Sequence, residues 1–318
     1  MQLKALIIGI NGQDGSYLAE YLLSINYDVV GTIRRNSVSE NQTNRIEHIK
    51  ERLSLEYADL TDITSIISVI KEHEPDEIYN LGAQSHVQVS FKQPIQTINA
   101  DALGVLNLLE AVRLINKSIK IYQASSSEMF GNSIDTDGFQ RETTSMMPVS
   151  PYGCSKVFAY NICNNYKNAY GMFICNGILF NHESPRRGSN FVTSKVVNTA
   201  VDILKGVKSS LVLGNLYASR DWGHAKDYVK AMHLIMQLDN PDNFVCATGE
   251  THTVKDLVDY VFNKLEIGIE LVSIENKYKR PEELNLLKGD PSKLKEKTGW
   301  EQEYNFYTML DEMIENRL

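Results

Sequence analysis

The sequence predicts an α/β protein, with a doubly wound parallel sheet in its first half and a smaller C-terminal α/β domain after it. Three observations carry that expectation. Apolar, β-rich runs alternate with helical patterns from the first residues onward. Runs such as Ala5 to Ile8 are continuously apolar, as strands covered on both faces must be. The alternation weakens after Leu179, where a loop rich in Pro, Arg and Gly, residues 183–190, marks a candidate boundary.

The strands fall at residues 3–10, 28–33, 53–57, 77–82, 120–125 and 172–179. Between them, apolar residues recur at helical spacing over 16–23, 63–71, 103–115 and 152–170, each long enough to cross a sheet. Residues 1–179 are therefore expected to form the sheet domain, joined later by a segment near 220–247, and residues 180–318 mainly the second domain. Near the C-terminus Asp290 reads as a helix cap before Pro291 at the first helical position, with Gly299 past the last turn. No internal repeat or low-complexity stretch interrupts this pattern.

Composition narrows the function. Hydrophobic residues make up 42% and charged residues 23% of 318, which is the balance of a globular chain. The formal charge of −8 speaks against nucleic acid or a membrane surface as the main partner. Arginines nevertheless stand in segments that read as loops, where ligands are held: Arg34, Arg35, Arg186, Arg187, Arg220 and Arg280. The four cysteines, Cys154, Cys163, Cys175 and Cys246, have no paired or metal-binding spacing and read as reduced, packed thiols. The first residues resemble neither a signal peptide nor a membrane span, so a cytoplasmic location and no metal are expected.

The segment GINGQDG links the first strand to a helix. Gly9, Gly12 and Gly15 stand where a Rossmann-type chain turns tightly and approaches a pyrophosphate, beside the positive end of the helix. The residues expected to hold a dinucleotide here are these three with Asn11, Gln13 and Asp14. At the end of the second strand an NAD site would want a carboxylate, yet the chain offers Arg34 and Arg35, which suit the 2′-phosphate of NADP. Asp59 and Leu60 could fix the adenine edge, and Leu81, Gly82 and Ala83 leave room beside the fourth strand.

YGCSK opens a helix, and its four-residue spacing puts Tyr152 and Lys156 on one face, one turn apart. A phenol titrates near pKa ~10, so a neighbouring ammonium and the cofactor's positive charge would favour the phenolate and make a base. Alone, the same spacing also serves any amphipathic helix start. Here it follows ASSSEMFG, which places Ser126 and Glu128 at a strand end near the same pocket. A simple alcohol dehydrogenase of this design needs no extra carboxylate, so Glu128 points to a second proton transfer.

With these motifs in order, the sequence resembles the extended short-chain dehydrogenase/reductase family and, within it, the GDP-mannose 4,6-dehydratases. GQDGSYLAEYLL, YNLGAQSHVQVSF, SSSEMFG, SPYGCSK, NGILFNHESPRRGSNFVT, LGNLYASRDWGHAKDYV, FVCATGETHTV and RPEELNLLKGDPSK carry the likeness from residue 9 to about 293. The resemblance implies that Ser126, Glu128 and Tyr152 are catalytic and that Lys156 binds cofactor and assists Tyr152. It places His182 and Arg187 near the cofactor, and Ser85, Asn181, Lys195, Arg220 and Arg280 among the substrate-binding residues. It implies a GDP sugar as substrate, bound NADP, and a homo-oligomer, dimer or tetramer, assembled through the loop of Arg186 and Arg187. A dehydratase of GDP-manno-heptose or of another sugar nucleotide is the alternative, and a non-catalytic NADP sensor a remote one. Two departures stand out: Ser126 replaces the family's usual threonine, and the chain is shorter between Arg45 and Asp59. The loop 132–147 is slightly longer.

Overall fold

The computed structural model describes residues 2–35, 42–275 and 282–318. The first half runs β1 (Lys4–Ile8), α1 (Gln13–Ser24), β2 (Asp28–Ile33), β3 (Ser54–Tyr57), α2 (Ile63–His73) and β4 (Glu77–Asn80). It continues through α3 (Val87–Lys92), α4 (Pro94–Ile98), a π turn (Asn99–Leu103), α5 (Gly104–Ile115), β5 (Lys120–Ser126), α6 (Pro151–Tyr170) and β6 (Ile174–Leu179). The second half comprises β7 (Asn181–Glu183), α7 (Val192–Leu204), β8 (Leu211–Leu213), β9 (Ser219–Arg220), β10 (Trp222–His224), α8 (Ala225–Met236) and β11 (Asn243–Cys246). It ends with β12 (His252–Thr253), α9 (Val254–Lys264), β13 (Val272–Ile274), β14 (Leu286–Leu287), α10 (Ser292–Thr298) and α11 (Phe306–Arg317).

Among the described residues the main sheet has 7 strands in the order β11-β6-β5-β4-β1-β2-β3. Every neighbouring pair is parallel. The order reverses beside β1, so a crevice opens at the carboxyl ends of β1 and β4, where open α/β sheets hold ligands. Period-two alternation splits β1 between two cores. Ala5 and Ile7 pack with Leu18 and Leu22 of α1 and with Val229 and Met232 of α8. Leu6 and Ile8 pack with Ile66 of α2, Leu108 and Val112 of α5, and Cys163 of α6. A third core, built from Val197 of α7, Leu257 and Val261 of α9 and Leu310 of α11, supports the second half around Leu213 and Trp222.

A row of buried amides crosses the sheet. The Asn80 side chain donates to Gln123 at 2.8 Å, Ser125 donates to Asn176 at 3.2 Å, and Asn176 donates to Asn243 at 2.8 Å. Asn243 and Asn176 are also register partners of β11 and β6. Such groups are costly inside an apolar core unless each finds its mate, so they fix strand register.

Several details differ from the sequence reading. The helix expected from residue 103 begins at Pro94 and passes through the π turn, whose extra residue breaks the 3.6 periodicity. The helix expected from Pro291 starts one residue later, so Pro291 and not Asp290 holds the cap position; Asp290 accepts from Ser292 N at 3.0 Å, and Gly299 ends the helix at φ +68°. Of the four cysteines, Cys163, Cys175 and Cys246 are buried free thiols, but Cys154 is exposed because it falls on the outer face of α6. Arg220 is buried in β9 rather than held in a loop.

Candidate active site

A cleft of about 650 Å³ runs along the carboxyl ends of the strands, between the sheet and the second half of the chain. Its floor is the glycine loop. Gly9 adopts φ +82°, in the region that favours glycine, and its N–H donates to Thr32 O at 3.3 Å. A Cβ on Gly15 would stand 2.4 Å from Gly9 O, so only glycine lets α1 begin this close to the turn. No side chain caps α1, and its first N–H groups have no partner within the helix, which leaves a cradle for phosphate oxygens.

Gly9, Asn11, Gly12, Gln13, Asp14 and Gly15 all border the cleft, as do Asp59, Leu60, Leu81, Gly82 and Ala83 from the neighbouring strand ends. Exposed Arg34 borders it at the end of β2; Arg35, also exposed, does not. Two residues of the glycine loop reach the second half. Gln13 donates to His182 O at 3.1 Å and accepts from Ser184 Oγ at 2.8 Å. Asp14 meets His182 Nε2 at 2.8 Å, while His182 Nδ1 lies 2.7 Å from Phe180 O. Burial raises the Asp14 carboxyl, but His182 and the hydrogen bonds outweigh it and hold it below the usual value. Burial likewise opposes a charged His182, and Asp14 overcomes this and raises it.

The residues expected to react share one wall. Ser126 ends β5 and caps the short turn that carries Glu128, accepting from Glu128 N at 3.2 Å. Ser150 caps α6 through Gly153 N at 3.0 Å, and Pro151 presets the first turn, so Tyr152 enters the cleft from a rigid helix start. Lys156 follows one turn later, with Nζ 5.7 Å from the Tyr152 ring centre and donating to Ala124 O at 2.9 Å. Ser126, Glu128, Tyr152 and Lys156 are each less than a tenth exposed, and all border the cleft.

The phenolate expected from the sequence depends on the Lys156 ammonium together with the cofactor's positive charge, and the chain's own groups act mainly against ionisation. Burial raises the Tyr152 pKa, the negative charges of Asp101 and Glu128 raise it further, and only a hydrogen bond with Ser126 and the charge of Arg187 oppose them. Burial also lowers Lys156. A positive charge placed in the cleft would favour a phenolate at Tyr152.

Ser85, Asn181, Lys195 and Arg220 border the cleft toward the second half; Arg280 lies outside the described residues. Lys195 donates to Val212 O at 2.6 Å and Arg220 to Ser219 O at 2.9 Å. Arg187 pairs with Glu183 at 3.0 Å and lies 3.7 Å over Phe191. Arg186 is bound within the chain, to Ser16 at 2.9 Å and to Glu20, over the Tyr17 ring.

Sequence reasoning missed Asp101, which lies fully buried on the π turn against α6. The available signal was an acid on the apolar face of a helical run, between Ile98 and Val105. Among the described residues no helix is long and apolar enough to cross a membrane.

A parallel sheet in this strand order with a hydroxyl, phenol and ammonium over a glycine loop defines the short-chain dehydrogenase/reductase class with its extended second domain. Solved structures of like shape agree on the fold. The dTDP-glucose 4,6-dehydratase of Streptomyces venezuelae, solved with NAD, superposes with a TM-score of 0.88 at 20% identity over 99% of this chain and 96% of that one. The UDP-glucose 4-epimerase of Thermotoga maritima gives 0.87 at 22% identity, covering 99% and 98%.

Sequence narrows the class to one family. Residues 6–313 match the family described as GDP-mannose 4,6 dehydratase. GDP-mannose 4,6-dehydratases of Vibrio cholerae, Homo sapiens and Arabidopsis thaliana are 44%, 46% and 49% identical to it. The matches cover 98–99% of this chain and 93%, 90% and 86% of those proteins. The chain belongs to the GDP-mannose 4,6-dehydratase family.

Proposed function

We propose that this protein dehydrates GDP-mannose to GDP-4-keto-6-deoxymannose, with NADP held in the cleft. The observation that carries the reading is Glu128 beside Ser126, Tyr152 and Lys156 on one wall. Bound NADP⁺ would supply the hydride chemistry, accepting hydride from C4 of the sugar and returning it to C6. The glycine cradle at Gly9, Gly12 and Gly15 fits its pyrophosphate, and Arg34, which follows β2 where an NAD site would want a carboxylate, favours a 2′-phosphate.

Tyr152, as phenolate, takes the proton of the 4-hydroxyl. Lys156 stands one turn away, and the positive charge of bound NADP⁺ would add to it in favouring that ionisation. Ser126 donates a hydrogen bond to the C4 oxygen and steadies it as its charge changes. A carbonyl at C4 acidifies C5, and Glu128 removes the C5 proton and passes it to the departing 6-hydroxyl, which leaves as water. Arg220 and Lys195 line the second half of the cleft, where a diphosphate would find cationic donors, and arginine's planar fork suits that group.

Redox balance gives the test. The hydride that leaves C4 returns to C6, so GDP-mannose must yield a product lighter by one water with no lasting accumulation of NADPH. Mass spectrometry of the product together with absorbance of the reduced cofactor decides this. Stoichiometric NADPH without a 4-keto-6-deoxy product would overturn the proposal.

A further inference from the structure

Asp101 is a complete ionisable side chain inside the protein, with none of its surface exposed. Its Oδ1 accepts from the backbone N–H of Gln84 at 2.7 Å, and its Oδ2 is buried without a hydrogen-bond partner among the described residues. A half-satisfied carboxylate in a core is expensive, and it persists where a neighbour or a task compensates it. The π turn that carries it sits between α4 and α5 and packs against α6. Turns of this kind put one residue out of helical register and collect at working sites.

The charged groups facing Asp101 come from α6: the Lys156 ammonium, which favours its ionised form, and the Tyr152 phenol, which its charge disfavours from ionising. From the loop after β4 the facing group is the Gln84 N–H, and α4 carries no ionisable residue. Lys156 gives one donor to Ala124 O at 2.9 Å, and the ammonium has three. Burial lowers the Lys156 pKa, and Asp101 is the carboxylate that opposes this.

We propose that Asp101 is a positioning residue of the catalytic wall: its buried carboxylate keeps Lys156 charged and in place, and at the same time restrains the ionisation of Tyr152. The proposal rests on the reading of Tyr152 as the base. Two opposed effects on neighbouring groups make Asp101 a control on the pH range of the site rather than a contributor to its maximal rate. Burial raises Asp101 itself to about 6, so the control acts at neutral pH, where the carboxylate is ionised.

Asp101→Asn keeps the volume and the acceptor for Gln84 N–H while removing the charge. The rate with GDP-mannose should then rise at lower pH, because the phenolate has lost an opposing anion, and also fall at lower pH on the alkaline side, because Lys156 has lost its support. A displacement of both limbs by roughly one pH unit is expected, the low end for a close buried charge. Thermal unfolding and cofactor titration establish that the variant is folded and loaded. A variant with the parent's pH limits, at any amplitude, overturns the proposal. Carboxyl ¹³C titration of Asp101 in parent and Lys156→Met separates this from failure of the functional reading: the midpoint must rise when the ammonium is removed, whatever the substrate. An unchanged midpoint also refutes the coupling.

Discussion

Gly15 offers a perturbation whose size follows from coordinates alone. A Cβ added there would stand 2.4 Å from Gly9 O, 2.7 Å from Ile10 Cα and 2.9 Å from Ile10 C, all backbone atoms that no rotamer can move. Non-bonded carbon contacts are comfortable at about 3.5 Å, so the start of α1 must retreat from the turn by about 1 Å. Overpacking of this kind costs about 1–3 kcal/mol, and here the displaced groups are those that would cradle a pyrophosphate. Gly12→Ala is the internal comparison, since its Cβ would make one contact, 3.2 Å to Gly9 O, that a small adjustment relieves. We expect Gly15→Ala to lower the thermal midpoint and to weaken NADP binding at least about tenfold, or about 1.4 kcal/mol. Gly12→Ala should have little effect on the midpoint. Calorimetric titration with NADP⁺ and thermal unfolding measure both quantities, and a Gly15→Ala protein with the parent's midpoint and affinity would refute the close-approach argument.

Glu128→Gln should bind cofactor as the parent does while product formation falls by roughly 10²–10⁴-fold, the usual worth of a positioned base; quantitative mass spectrometry reads this directly. Arg34→Ala should weaken NADP⁺ by roughly tenfold and leave NAD⁺ nearly unchanged, as parallel titrations would show. The Asp14–His182 pair predicts a pH-dependent clamp. The lowered Asp14 contributes stability above its unfolded value near 3.8, lost as pH falls through the lower folded value. The raised His182 contributes below 6.5, and this is lost as pH rises through the higher folded value. His182→Asn should therefore destabilise most between pH 3.8 and 6.5 and least at alkaline pH, in thermal scans across that range. One thiol, Cys154, should react with a disulfide reagent in the native protein; burial raises Cys163 to about 12 and Cys175 to about 11, and Cys246 is buried as well.

What the sequence made legible was local chemistry tied to short spacing. Gly9 to Gly15 and Tyr152 to Lys156 could be placed because a turn and a helix face dictate where such residues go. Ser126 and Glu128 followed because they stand at and just past the end of a strand that periodicity marks clearly. What could not be read was set by packing between distant segments. Asp14 reads as a cofactor contact, yet its carboxylate is engaged by His182, far along the chain. Tyr152 reads as a base in the company of Lys156 and the cofactor's charge, while the burial and the Asp101 charge that act in the other direction come from packing. Asp101 itself was hidden by the π turn, which disrupts the periodicity that would have placed it against α6.

The last strand of the main sheet has a consequence for how the chain is made. β11 lies beside β6, but the whole of β7 to α8 is synthesised between them. During translation β6 emerges with its outer edge bare, and Asn176 on that edge waits for Asn243 to arrive. An unpaired parallel edge with apolar neighbours is an invitation to other nascent chains. A ribosome stalled, or a gene cut, between β6 and β11 would release a chain that keeps the glycine loop and Ser126, Glu128, Tyr152 and Lys156 but leaves the β6 edge unpaired and prone to aggregate.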